Sequence, residues 1–215
     1  MKTGLPKDGL VGMTLVELLV VVAIIGVLAC MLFPVISAVQ RNARSAACVS
    51  NLRQLGAGVF LYANDNNNLL PTGWISSTSN WMMSLVKPTD YIGNGQNALI
   101  PLRLQKKGAV FFCPENVRSA SSPSTSGGTT CYGWNHYGLL NKKLGAARNP
   151  SKLCMISENA CTGNNWPNLL VEGGGATIRM SATIHGTYSN VLYFDGHIEQ
   201  ISKLPALSDE LFWKY

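Results

Sequence analysis

The sequence predicts an α+β protein: a long N-terminal α-helix, membrane-spanning in its first half, packed on a small antiparallel β-sheet head. Three observations carry that expectation. An uncharged, mostly apolar run extends from Leu18 to Gln40, with a single carboxylate, Glu17, just ahead of it. Beyond Pro34 the apolar positions become one-sided at helical spacing, and near the C terminus two strand-like runs flank Asp195-Gly196. The chain divides accordingly into a leader (1–12), a long helix (13–64, with 14–36 in the membrane) and a head (65–215).

The first element is set by length and charge. About 20 apolar residues at 1.5 Å each cross the hydrocarbon core, and Lys2 and Lys7 keep the short head on the cytoplasmic side. A carboxylate carried to the membrane centre costs roughly 2.5–3.5 kcal/mol on insertion scales, so Glu17 implies a partner. The partner this sequence suggests is a cation made by processing, on a neighbouring copy of the same chain. Cutting after the small residue Gly12 frees the amine of Met13, four residues ahead of Glu17. An ordinary secretory signal is cut beyond its apolar region, whereas this run continues into a helical pattern and is retained. A plain anchor explains the length and the lysines but leaves Glu17 without a purpose. A lipoprotein signal at Val27-Leu28-Ala29-Cys30 would have its core interrupted by Glu17. It would also be followed by more apolar sequence, Met31 to Ile36, instead of a polar tether.

The helix continues. Val39, Ala43, Ala46, Val49, Leu52, Gly56, Val59 and Ala63 recur at spacings of three and four, with Arg41, Arg44, Asn51 and Arg53 mostly off that stripe. Together the two halves make one helix of ~75 Å, bent or loosened at Pro34, which lacks a backbone donor. Asn64 to Asn68 end it. A short helix is expected near Trp81 to Leu85. Strands are expected over Ala109–Cys113, Cys131–Asn135, Leu153–Ser157, Ala176–Ala182 and Val191–Phe194, and Ser119–Thr130 reads as a surface loop. Asp195-Gly196, between Val191–Phe194 and His197–Ile201, favours a two-residue type I′ hairpin. A last helix starts near Ser208, with Asp209 and Glu210 in its first turn.

Composition bounds the function. Leader and anchor subtracted, 215 residues leave one modest head. Charged residues make up 13%, and the loops are filled with Gly, Ser, Asn and Thr, which suits a secreted head better than a cytosolic enzyme. The net charge of +6 lacks the clustered basic residues and interleaved aromatics of a nucleic-acid binder, so nucleic acid is not an expected partner. Six cysteines point to an oxidising compartment if they pair. Cys30 lies in the apolar run; the other five are odd in number, so at least one thiol is free or intermolecular. No G-x-S-x-G elbow, H-E-x-x-H helix or phosphate-cradling loop appears, and no enzyme activity is expected.

At Gly12-Met13-Thr14-Leu15-Val16-Glu17-Leu18-Leu19-Val20-Val21-Val22-Ala23-Ile24-Ile25-Gly26 the chain resembles the class III signal of type IV pilins and type II secretion pseudopilins. Pro34 sits where that family carries a proline, and Met13 stands where it usually has Phe. The resemblance implies a pilin-like fold, cleavage after Gly12 by a prepilin peptidase and N-methylation of Met13. It also implies an inner-membrane assembly platform and a self-polymer, a type IV pilus-like or type II secretion pseudopilus filament. The expected location is a single-pass inner-membrane protein with its head outside the cytoplasm, then a periplasmic or cell-surface filament. The alternative is a non-polymerising membrane-anchored binding module for a metal, surface or DNA ligand.

Four further pieces resemble the branch of this superfamily with larger heads and an H-x9-D-G signature. They are Cys48 to Gly56, Phe111-Phe112-Cys113-Pro114, Tyr132-Gly133-Trp134-Asn135, and His185 followed after nine residues by Asp195-Gly196. The cysteines shared with that branch imply a Cys48–Cys113 disulfide, worth roughly 4–5 kcal/mol in the chain-entropy model. Cys131 is left to pair with Cys154 or Cys161. His185, Asp195, His197 and Glu158 form a candidate metal set, with zinc competent for imidazole and carboxylate and calcium, which related pseudopilins bind, preferring oxygen. The competing reading is structural: His185 hydrogen-bonds across the hairpin and Asp195 satisfies the turn backbone.

Overall fold

The computed structural model describes residues 13–76, 79–86, 89–92, 110–115, 131–145, 147–159, 170–171, 177–178, 180–206 and 208–213. Gly12 and the leader, the Ser119–Thr130 loop and Cys161 lie outside the described residues. The chain forms two compact units, Met1–Asn42 and Ala43–Tyr215. Helix α1 (Leu15–Asp65) belongs to both.

In the first unit, α1 starts with a capping box. The Thr14 hydroxyl accepts from the Glu17 N–H at 3.3 Å, while the Glu17 carboxylate accepts from the Thr14 N–H at 2.9 Å and its hydroxyl at 3.0 Å. The helix runs unbroken past Pro34. The Ser37 hydroxyl donates to the Phe33 carbonyl, 3.4 Å away. Every large apolar side chain from Met13 to Val39 is exposed. This helix is long and apolar enough to cross a membrane.

In the second unit the buried residues of α1 are Ser45, Cys48, Leu52, Leu55, Gly56, Gly58, Val59 and Ala63. The stripe therefore starts later than its spacing suggests, since Val39, Ala43 and Ala46 are exposed. The helix stops at three asparagines: Asn67 (φ 55°) and Asn68 (φ 61°) turn left-handed, which Asn tolerates better than most residues. The Asn68 N–H then closes back on the Ala63 carbonyl at 2.8 Å.

The head is built on one antiparallel sheet of four strands, order β3-β4-β7-β8: β3 (Tyr132–Trp134), β4 (Cys154–Glu158), β7 (Ser189–Tyr193) and β8 (Ile198–Ile201). Among the described residues are two further antiparallel strand pairs, β1 (Trp74–Ser76) with β2 (Ser79–Asn80) and β5 (Leu170–Val171) with β6 (Thr177–Ile178). The described residues include three one-turn helices: α2 (Trp81–Ser84), α3 (His136–Leu139) and α4 (Glu210–Trp213). An α+β layout of long helix and small antiparallel sheet is what the sequence led us to expect.

Both central strands are buried throughout, because both faces of the sheet are covered. Period-two alternation along β7 and the residue after it sends Leu192 and Phe194 to one side, into the core that holds the α1 residues, Trp81 and Trp134. Val191 and Tyr193 go to the other side, onto Phe212 and Trp213 of α4. Gly56 lets the helix approach, since a Cβ there would lie 2.9 Å from Leu192 Cδ2. Asn135 fixes α3 and α4 together: its Oδ1 accepts from the Gly138 N–H, and its Nδ2 donates to the Cys154 and Trp213 carbonyls.

Two expectations need correction. Ala109–Cys113 is not a strand over its described residues: Val110 and Phe111 form a turn, and their apolarity reflects consecutive burial in the core instead of a pleat. The Asp195-Gly196 connection is not a two-residue type I′ turn. Tyr193 pairs with His197 (N–H to O, 2.9 Å), the Gly196 N–H bonds the Tyr193 carbonyl at 3.0 Å, and only Gly196 (φ 92°) is left-handed. This is a three-residue loop of Phe194, Asp195 and Gly196 closed by a glycine bulge. The register thereby shifts by one residue, which decides which side chains face α1.

Candidate functional site

Among the described residues, two places concentrate polar groups where apolar ones would be expected. The first is the head of α1. Glu17 is the only acid among the exposed apolar side chains of the helix from Met13 to Val39, and its carboxylate is turned back on Thr14. Thr14-x-x-Glu17 ahead of an apolar run is a readable capping signal, and the sequence reading passed over it. Within this chain Glu17 therefore already has a role. Met13, just outside the box, is exposed. Cys30 is an exposed free thiol on the same helix.

The second lies inside the head, where β4 and β7 meet. Glu158 ends β4 fully buried. Its Oε1 accepts from His185 Nε2 at 2.8 Å and from Asn190 Nδ2 at 3.1 Å, and its Oε2 accepts from the Asn190 N–H at 2.7 Å. Three donors on one carboxylate offset the cost of taking it out of water. His185 reaches it from the turn before β7. There the His185 N–H bonds the Tyr188 carbonyl at 2.9 Å, Gly186 takes φ 90°, and the imidazole stacks on Tyr188 with centroids 5.3 Å apart. Among the described residues, His185 Nδ1 is buried without a hydrogen-bond partner. Tyr132 lies opposite Glu158 across the β3–β4 pair. Burial, reinforced by the Glu158 charge and opposed by Asn51, pushes its phenol well above the usual range.

Against this network sits the disulfide between Cys48 of α1 and Cys113, the pairing that the resemblance implied. Cys113 Sγ is 3.8 Å from His185 Nε2, and the Tyr132 hydroxyl donates to the Cys48 carbonyl at 3.3 Å. The same region is tied by an Arg44–Glu115 ion pair and by Asn51 Nδ2 donating to the Phe112 carbonyl at 2.9 Å. Cys131 is also disulfide-bonded, whereas Cys154 is a buried free thiol, so Cys131 with Cys154 is ruled out. Burial alone pushes the Cys154 thiol far up, which makes it inert.

The proposed metal set does not come together. Glu158 and His185 are buried at β4 and the turn before β7, while Asp195 and His197 form their own pair, exposed on the β7–β8 hairpin. There His197 Nδ1 meets Asp195 Oδ1 at 2.5 Å, and its ring stacks on Tyr193 at 4.4 Å. Sequence proximity misled here because the three-residue loop turns Asp195 toward its own hairpin. The H-x9-D-G signature thus spans two separate structural devices: a buried histidine–carboxylate clamp and a glycine-closed hairpin. Asn190 and Tyr132 carry no sequence signal for their parts in the clamp.

No known family model, curated protein or solved structure matches this chain.

Proposed function

We propose that this chain is a filament subunit. Its membrane-inserted precursor is trimmed after Gly12 by a prepilin peptidase, methylated at Met13 and packed by an inner-membrane assembly platform. The product is a pilin-like helical polymer of the type IV pilus or type II secretion pseudopilus kind. The observation that carries this reading is the unbroken apolar surface of α1, exposed from Met13 to Val39 and holding one acid at its start. A helix apolar all round needs lipid or other helices about it. Lipid serves the precursor, and the helices of neighbouring copies serve the filament. Disulfides in the head support its residence in an oxidising compartment, across the membrane from Lys2 and Lys7.

In the filament the Met13 ammonium of one copy meets Glu17 of the next. Buried pairs add little net stability, so the pair's contribution is subunit register. Mass spectrometry of the mature chain tests the processing step: a terminus at methylated Met13 is expected, and intact Met1 in finished filaments rules the proposal out.

One observation favours the alternative, a head tethered by a plain anchor. The capping box gives Glu17 an intrachain purpose that needs no partner. Glu17→Gln separates the two roles of the acid, because glutamine keeps the box while removing the charge. Lost filaments with normal membrane insertion support register by charge; wild-type filaments leave the acid with capping alone.

A further inference from the structure

Cys48, Cys113, Glu158 and His185 are all buried, and one ligand atom from each lies within 4.8 Å of the others. In the oxidised chain the two sulfurs are bonded to each other and hold no metal. We propose that reduction of the Cys48–Cys113 disulfide turns this cluster into a four-ligand Zn²⁺ site. The same tie between α1 and the Cys113 segment is then made by metal instead of sulfur.

The donor set is two thiolates, an imidazole and a carboxylate, which suits tetrahedral zinc. Zinc–ligand bonds of about 2.0–2.3 Å place neighbouring ligand atoms roughly 3.3–3.8 Å apart in a tetrahedron. The Cys113 Sγ–His185 Nε2 separation of 3.8 Å already fits that spacing. The His185–Glu158 contact of 2.8 Å must widen, and the sulfurs must part once their bond is broken. The second observation is His185 Nδ1, which has no hydrogen-bond partner among the described residues. In the oxidised form Nε2 carries a proton toward Glu158; to ligate through Nε2 that proton moves to Nδ1, which is open to receive it. Asn190 keeps its two bonds to the carboxylate, the outer-shell support that orients a metal-bound acid.

The balance is as follows. A dithiol or phosphine reductant supplies two electrons and the disulfide takes up two protons, giving two thiols while the reductant is oxidised to its disulfide or phosphine oxide. Zinc binding then releases both thiol protons, leaving a site with one net negative charge.

The test uses the full chain in detergent micelles, oxidised and phosphine-reduced, under argon. Reduced protein titrated with Co²⁺ should give the intense visible bands of tetrahedral cobalt, with thiolate-to-metal charge transfer, and one equivalent of Zn²⁺ should displace it. Oxidised protein should give neither. Apparent affinity should rise with pH as about two protons are released per metal. Zinc should shield Cys48 and Cys113 from alkylation, read by peptide mass spectrometry, and leave Cys30 reactive. His185→Gln should weaken binding by at least about tenfold, whereas Asp195→Asn on the separate hairpin should not. The proposal is overturned if oxidised protein binds equally, if shielding falls on Cys131 or Cys154 instead, or if His185→Gln has no effect. It is equally overturned if reduction abolishes near-ultraviolet circular dichroism and one equivalent of Zn²⁺ fails to restore it.

Discussion

Glu17 and Glu158 are two carboxylates in apolar surroundings, and each is held by donors of its own chain. At Glu17 the donors are local, both from Thr14, so losing them weakens only the helix cap. Thr14→Ala should therefore lower the helix content of the N-terminal segment slightly, seen by amide exchange. Glu17→Ala loses cap and charge together; on the proposed filament reading, membrane insertion should stay intact while assembly fails. Glu158 is different because its donors come from two places in the fold. Glu158→Ala strands His185 and two Asn190 donors in the core and should cost about 3–5 kcal/mol in urea unfolding.

Titration at single residues sets the acid side of stability. Burial holds the His136 imidazole below its usual range. At Asp195 partial burial pushes upward, but the His197 N–H and ring outweigh it and the carboxyl sits low. In both cases the unfolded chain binds the proton more readily, so the stabilisation is present above the unfolded value and is lost as pH falls through the folded one. Tm should therefore decline first below about pH 6.5, from His136, and again below about pH 3.9, from Asp195. Asp195→Asn should remove only the second decline.

At the scale of elements, the β7–β8 hairpin shows how one loop residue governs packing. Asp-Gly between strand-like runs pointed rightly to a hairpin, but not to its loop length. Phe194 joins the loop because its side chain is taken into the core beside α1, a long-range contact that spacing does not reveal. Gly196 carries the only positive φ in that loop, so Gly196→Ala should cost about 1–2 kcal/mol in thermal unfolding. Gly138→Ala should cost more, because its Cβ would overlap the Trp213 carbonyl and push α4 off the sheet. The buried face of α1 is readable from Leu52, Val59 and Ala63. Leu55 lies beside Gly56, off the stripe that runs through that glycine, and Ala43 and Ala46 fit the three-and-four spacing although both are exposed.

At the scale of the whole molecule, each face of the sheet depends on a segment far away in sequence: α1 on one side, the last turn of the chain on the other. The Cys48–Cys113 bond closes a span of 65 residues and so constrains the unfolded chain strongly. Replacing both cysteines by serine should lower stability by roughly 4 kcal/mol in chemical denaturation without metal.

The amino-acid order alone determined the apolar helix, its lone acid, the strand-rich head and the turn positions, because helical and pleated periods, charge and turn chemistry are written locally. Only the tertiary structure decided that His185 belongs with Glu158 and the disulfide, while Asp195 belongs with His197. Which buried polar groups meet depends on strand register and on the face each strand turns to its cover. A one-residue change in a single loop is enough to alter both.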